Sequence, residues 1–377
     1  MTIIAALKEH AADENRVAIT PEVAKKLKGL GFAVIIETGA GLPALYPDTL
    51  YKDAGAEIAL SAEDAAKRAD VIVTLQPAAI PALAQAKSSA FVIGLVNPYQ
   101  NKDFLQKSAT QGVTAIAMEL VPRITRAQAM DVLSSQANLA GYKAVLEAAA
   151  LYQRGMPMMM TAAGTVAAAR VFVMGAGVAG LQAIATARRL GAIVSATDVR
   201  LAAKEQVQSL GATFVMVEDE ETKAAETSGG YAKEMSDAYK TKQAQLIADT
   251  IAKQDIVITT ALIPGRPAPK LVTAQMIATM KPGSVIVDLA AEQGGNCELT
   301  EPGKVAEKNN VTIVGHRNMA ARIASDASSL YARNVLNLLQ LMQNKETKEV
   351  SLNLEDEIIK AVTLTHNGTI VNDKFAN

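Results

Sequence analysis

Two stretches of the chain bring together residue types that could do chemistry. The first, Pro122 to Gln136 (PRITRAQAMDVLSSQ), sets Arg123, Arg126, Gln128, Asp131 and Ser134 beside a long apolar helical pattern. Arginine only donates hydrogen bonds, ionised aspartate only accepts, and glutamine and serine do both. Such a set can hold a neutral group with two polar sides, a carboxamide for example. A plainer reading is a capped helix start, with Asp131 or Ser134 as N-cap, which explains one residue of the set. The second stretch, Val171 to Asp198 (VFVMGAGVAGLQAIATARRLGAIVSATD), spaces Gly175, Gly177 and Gly180 as G-x-G-x-x-G. The glycines follow an apolar run and open a helical pattern, and Asp198 ends the next run, the context that makes this spacing a dinucleotide fingerprint.

Each part of the fingerprint has a physical task. Gly175 permits the tight turn, Gly177 lets the backbone approach a pyrophosphate, and Gly180 lets helix and strand meet closely. Val178 opens the helix whose free N–H groups hold the anion. Asp198 suits the ribose hydroxyls and repels a 2′-phosphate, which favours NAD over NADP. Val199 follows it, and Arg200, two residues on, could instead accept that phosphate. Further along, ITTALIPG ends another strand, where Ala261 and Leu262 could pack on an adenine or form an ordinary strand end.

The residues that usually accompany hydride chemistry are missing. Oxidising a C–OH or C–NH bond requires an acid/base for the accompanying proton. The chain has three histidines, His10, His316 and His366, none with a partner at recognisable spacing. His316 is the best placed and otherwise reads as a polar strand-end residue. One cysteine and scattered histidines make no metal-ligand set. Hydride passing directly between two nicotinamide rings fits this gap, because the protein need only orient the ring and exclude water.

The elements that must position these residues are legible as alternating patterns. Short apolar runs at 2–7, 32–38, 71–75, 90–96 and 114–120 alternate with helical stretches, one of them starting at Thr20 and Pro21 as N-cap and first helical residue. A second series lies at 169–175, 192–198, 213–217, 255–261, 284–290 and 311–315. This alternation predicts α/β architecture: two Rossmann-like doubly wound domains joined by long crossing helices, with the NAD cleft between them. The first domain takes residues 1–138 plus 322–377, and the second takes 139–321. The tail should return to the first domain as a helix and a hairpin turning at Asn367–Gly368. Between the third and fourth runs of the second series, Glu218 to Gln254 is long for a connection. A stretch of it is helical; the rest is a solvated loop or a lid hinged at Gly229–Gly230 that lays Tyr231 over a nucleotide.

Bulk properties narrow the class. With 377 residues, 50% hydrophobic and 20% charged, the chain can build two or three cored domains. A net charge of −1 gives no nucleic-acid footprint. The start lacks a signal-peptide pattern, and no run approaches the roughly 18–20 apolar residues of a membrane span. A lone Cys297 suits a reducing compartment, so the expectation is cytoplasmic.

Over nearly its whole length the chain resembles the NAD(H)-binding part of the alpha subunit of proton-translocating nicotinamide nucleotide transhydrogenase. The resemblance rests on ENRVAITPE, MELVPRITRAQAMDVLSSQANLAGY, MTAAGTV, GAGVAGLQAIATARRLGA, ATDVR, ETSGGYAKEM, ITTALIPG and KPGSVIVDLA. It implies NAD(H) as cofactor and a homodimer that presents the dihydronicotinamide to an NADP(H)-binding subunit. A membrane-spanning subunit couples the transfer to proton movement, so this chain would lie peripherally on the inner face of the cytoplasmic membrane. It also implies that Arg123, Gln128, Asp131 and Ser134 orient the nicotinamide and its ribose, that Gly230 and Tyr231 belong to a closing loop, and that Leu262 lies near the adenine. Alanine dehydrogenase shares the ENRVAITP start, where Arg16 matches its substrate-binding arginine. That family also uses a lysine and a histidine in regions that here read VIVTLQPAAI and FVIGLVNPYQ. A stand-alone amino-acid dehydrogenase and a non-catalytic NAD sensor are the alternative readings.

Overall fold

A computed structural model describes residues 1–217, 236–263 and 265–376. It divides into two compact units, one of Met1–Gln136 with Ala320–Asn377 and one of Ala137–Met319. The chain leaves the first unit within the helix Val132–Leu151 and returns after Met319.

The first unit holds a six-stranded parallel sheet. Its strands are β1 (Ile3–Ala6), β2 (Ala33–Glu37), β3 (Glu57–Ala59), β4 (Val71–Val73), β5 (Phe91–Gly94) and β6 (Thr114–Ala117), in the order β3-β2-β1-β4-β5-β6. Ile4 is in register with Val34 on one side and Val71 on the other. The central runs are apolar throughout because helices cover both faces of a parallel sheet. The five runs expected from sequence are present; β3 adds a sixth at the edge. The helix Pro21–Gly29 starts as expected: the Thr20 hydroxyl accepts from the Val23 amide. One face is closed by the helix Ala324–Met342, which buries Tyr331, Val335, Leu338, Leu339 and Met342 at helical spacing.

The tail folds back on this unit. The helix Glu357–Val362 leads to a hairpin of Thr365–His366 and Thr369–Ile370. Asn367 and Gly368 both take positive φ, 48° and 81°, as a type I′ turn requires. The Leu364 amide donates to the Ala115 carbonyl at 2.8 Å, which fastens the tail to β6.

The second unit opens with an exposed hairpin, β7 (Met159–Thr161) and β8 (Gly164–Val166). Its sheet comprises β9 (Arg170–Met174), β10 (Ile193–Thr197), β11 (Thr213–Phe214), β12 (Ile256–Thr259), β13 (Val285–Asp288), β14 (Val305–Lys308) and β15 (Val311–Val314). The order is β11-β10-β9-β12-β13-β15-β14. All pairs are parallel except β14 on β15. The sheet reverses between β10 and β12, on either side of β9, and the strand ends at that point form the ligand crevice of a doubly wound fold.

Candidate functional site

The phosphate turn lies at that switch point. Gly175 follows β9 with φ +105°, a conformation glycine adopts without strain. The helix Val178–Arg189 then begins with Gly177 at its N-cap and buries Gly180, Ala183, Ile184 and Ala187 against the sheet. Gly180 lies so close to the turn that a Cβ there would overlap the Gly175 carbonyl, coming within 2.8 Å of its carbon. A Cβ on Gly177 would meet nothing within 4 Å. The two glycines therefore differ in role: one admits the helix, the other leaves space over the helix N-terminus, where free N–H groups favour an anion. Val178 begins the helix and is exposed.

Asp198, just past β10, is bound to the turn. Its Oδ2 accepts from the Ala176 amide at 2.7 Å and from Arg200 Nη2 at 3.1 Å; its Oδ1 accepts from the Arg200 amide at 2.8 Å and Nε at 3.0 Å. Burial works against the charge, but Arg200 and the two amides outweigh it and hold the carboxyl below its usual range. Arg200 is committed to Asp198 and to the Ala176 carbonyl at 3.3 Å. Between them Val199 is fully out in solvent. An ionised acid at this strand end, beside an open helix N-terminus, fits a ribose and pyrophosphate.

The end of β12 borders the same turn. The Thr260 hydroxyl donates to the Gly175 carbonyl at 3.1 Å. Ala261 is half-buried, and Leu262 is 48% exposed. Gly230 and Tyr231 lie outside the described residues.

The polar run belongs to the first unit. Arg123 and Gln128 are exposed, Arg123 on a bend and Gln128 in the 3-10 helix Thr125–Met130. Asp131 caps the helix Val132–Leu151: its Oδ1 accepts from the Ser134 amide at 2.9 Å and its Oδ2 from the Ser134 hydroxyl at 2.6 Å. The capping role weighed from sequence is thus real, and it ties two members of the set together. Arg126, the second arginine of the run, is exposed and pairs within the chain, with Asp356 at 2.6 Å. The Ala129 carbonyl accepts from Asn334 and Asn337 at 2.8 and 3.2 Å. These contacts, with buried Ala127 and Met130, fix the backbone that presents Arg123 and Gln128.

Nearby in the same unit Arg16 is buried and bound to Glu14 at 2.6 Å and to Gln136 Oε1 at 2.8 Å. His316, past β15, is half-buried. No group of side chains suited to a metal ion occurs among the described residues.

Sequence reasoning missed two residues that shape the second unit's site. A Cβ on Gly141 would come within 2.8 Å of the Ala179 carbonyl carbon, so this glycine lets the helix Val132–Leu151 meet the first turn of the nucleotide helix. Asn296, fully buried, hydrogen-bonds the backbone of Ala261. No local spacing signals either one.

Comparisons with known proteins bear on both units. Residues 5–140 match the family model described as alanine dehydrogenase/PNT, N-terminal domain, and residues 144–373 match the C-terminal domain of the same family. An NAD(P) transhydrogenase subunit alpha chain of Rhodospirillum rubrum is 53% identical over 373 residues, covering 98% of this chain and 97% of that protein. The crystal structure of transhydrogenase from Sinorhizobium meliloti superimposes with a TM-score of 0.89 at 56% identity, over 98% of this chain and 100% of the other. An L-alanine dehydrogenase structure gives a TM-score of 0.82 at 25% identity, over 99% and 98%.

Proposed function

The chain belongs to the alanine dehydrogenase/PNT family, and we propose that it is the NAD(H)-binding component of a proton-translocating transhydrogenase, active only with partner subunits. It is a transhydrogenase component, akin to the alpha-subunit chain of the Rhodospirillum enzyme, and it binds NAD(H). The observation that carries the nucleotide assignment is Asp198: its carboxylate reaches the Ala176 amide of the phosphate turn at 2.7 Å, so the ribose acid and the anion site form one constellation.

In this reading the chain's own residues bind and orient. The amides at the start of the helix Val178–Arg189 hold the pyrophosphate, and Asp198 accepts from the ribose hydroxyls. Arg123 and Gln128 orient the nicotinamide end, with Asp131 and Ser134 completing the set. When bound, the dihydronicotinamide supplies a hydride, one hydrogen with two electrons, which NADP⁺ on a partner accepts with no proton left over. That balance agrees with what the polar run offers: Asp131 is engaged with Ser134, Arg126 with Asp356, and neither is set up as a proton relay. The regions where alanine dehydrogenase uses lysine and histidine carry neither residue here, which argues against a stand-alone amino-acid dehydrogenase.

Coupling to proton movement belongs to a membrane-spanning partner in this reading. No helix among the described residues is long and apolar enough to cross a membrane. The chain would then act as a homodimer, peripheral on the inner face of the membrane through its partners.

The test mixes the chain with an NADP(H)-binding subunit and follows reduction of an NAD⁺ analogue by NADPH. Gln128→Asn withdraws the amide by one methylene. It should slow transfer by roughly tenfold to a hundredfold, because a misplacement on the order of 1 Å costs that much, while NADH affinity changes little. Equal losses in binding and transfer would make the run a simple affinity site. Alanine-dependent NAD⁺ reduction by the chain alone would overturn the whole reading.

A further inference from the structure

The end of β12 is fastened from outside the fingerprint. The Ala261 amide donates to Asn296 Oδ1 at 3.0 Å, and the Ala261 carbonyl accepts from Asn296 Nδ2 at 2.8 Å. The second Nδ2 hydrogen goes to the Pro269 carbonyl, also at 2.8 Å. A side-chain amide thus does for Ala261 what the backbone of a neighbouring strand would do, and ties it to Pro269. Both donors of the amide and its acceptor are used, so this buried polar side chain is satisfied where it stands.

Asn296 is itself anchored. Its carbonyl accepts from the Leu271 and Val272 amides at 2.7 and 3.1 Å. The next residue, Cys297, donates its amide to Asp288 Oδ2 at 3.0 Å, and the fully buried Asp288 also accepts from the Thr300 hydroxyl at 2.7 Å and the Thr259 hydroxyl at 3.1 Å. On the other side, Thr260 links the strand end to the Gly175 carbonyl. Turn, strand end and Asn296 form one hydrogen-bonded body. From it Leu262 and Ile263 stand out, 48% and 43% exposed.

We infer that Asn296 is a positioning residue for the adenine side of the nucleotide site: it fixes the backbone at Ala261 so that Leu262 and Ile263 present their apolar side chains to the base. This rests on the reading above, in which NAD(H) lies along this edge. Without the side chain, one N–H and two carbonyls lose their partners, and the segment rearranges to satisfy them with water. The presented face then moves, although no atom of Asn296 touches the nucleotide.

The experiment uses the full chain and three probes measured by calorimetry: NADH, 5′-AMP for the adenine half and reduced nicotinamide mononucleotide for the other half. Asn296→Ala should weaken NADH and 5′-AMP by roughly tenfold, the scale of one lost hydrogen-bond contribution. The mononucleotide should keep its parental affinity. Should Asn296→Ala fail to fold, Asn296→Asp keeps the acceptor for the Ala261 amide, loses both donors, and carries the same expectation. A merely structural asparagine would lower the unfolding temperature and leave 5′-AMP affinity unchanged, or weaken all three probes alike; either result overturns the inference. If the parent chain binds no NADH, the nucleotide reading falls and the inference with it. If the parent binds NADH and 5′-AMP and the variants bind 5′-AMP equally well, only the role of Asn296 falls.

Discussion

Replacing Gly180 with alanine sets two effects of opposite sign against each other. Inside a helix, alanine is favoured over glycine by about 1 kcal/mol. At this position, however, the added carbon would overlap the Gly175 carbonyl and lie 2.8 Å from its carbon atom. Non-bonded carbons rest at about 3.5–4.0 Å, so helix and turn must separate by roughly 1 Å. Neither side yields easily: the obstacle is backbone, and Thr260 holds that same carbonyl at 3.1 Å. Overpacking of this kind costs about 1–3 kcal/mol, and more where nothing can shift. With backbone on both sides the upper end of that cost applies, about 3 kcal/mol, so the clash wins by about 2 kcal/mol, a fall of roughly 4–8 °C in the unfolding temperature of a unit this size. Separating the turn from the helix also spoils the anion site, so NADH affinity should fall with stability. Gly177→Ala is the control. Its φ of −78° is open to any residue and its Cβ meets nothing, so stability should stay within about 1 kcal/mol. Its methyl group would nevertheless stand where the pyrophosphate approaches, and NADH binding should be lost. Scanning calorimetry and NADH titration on both variants separate the cases. A Gly180→Ala protein that melts at or above the parent would refute the close-approach argument. A Gly177→Ala protein that binds NADH as the parent does would refute the placement of the phosphate.

Two further outcomes follow from charge. Burial lifts the Glu9 carboxyl from 4.5 to about 7, against hydrogen bonds from the Leu75 and Gln76 amides and the Thr74 hydroxyl. The folded chain then keeps a proton that the unfolded chain releases. The associated stability is complete below about pH 4.5 and is lost as pH rises through about 7. The unfolding temperature of Glu9→Gln, subtracted from that of the parent across this window, should show that decline; a flat difference would refute it. Asp198→Asn removes the charge that holds Arg200, so the guanidinium becomes available to a 2′-phosphate and the preference for NADH over NADPH should shrink by roughly tenfold or more, as loss of a charged hydrogen-bond partner implies. An unchanged ratio in competitive titration would remove Asp198 as the discriminating residue.

The regions of the fold that were legible share a physical cause. Strands buried on both faces must be apolar throughout, and VIV at β4 or VIVD at β13 announces itself. The Asn367–Gly368 turn was legible because few residues tolerate positive φ twice in succession. Edge strands answer to different demands. β3 (EIA) buries only Ala59 and β14 (VAEK) buries no residue fully, and both carry charged side chains, which protects a sheet edge but erases the apolar run. The exposed hairpin of β7 and β8 has no buried face at all, so no pattern in MMT or GTV sets it apart.

The candidate site divides along the same line. Gly175, Gly177 and Gly180 serve one turn, where Gly180 meets the Gly175 carbonyl and Gly177 leaves open space, so their spacing can be seen in a short window. Asp131 could be weighed as a cap for the same reason, since its target is Ser134, three residues away. What holds the site in place is not local. Asn296 reaches Ala261 across 35 residues, and Asn334 reaches Ala129 across 205. Their partners are backbone groups, which every residue carries, so nothing in the partner's identity marks the contact. Arg126 shows the consequence: an arginine in a polar cluster looks like one more ligand contact until Asp356, 230 residues on, is found beside it. Residues that touch a ligand must have particular chemistry and are visible by type. Residues that hold those in place need only an amide or a carboxylate at the right point in space, and only the folded chain reveals them.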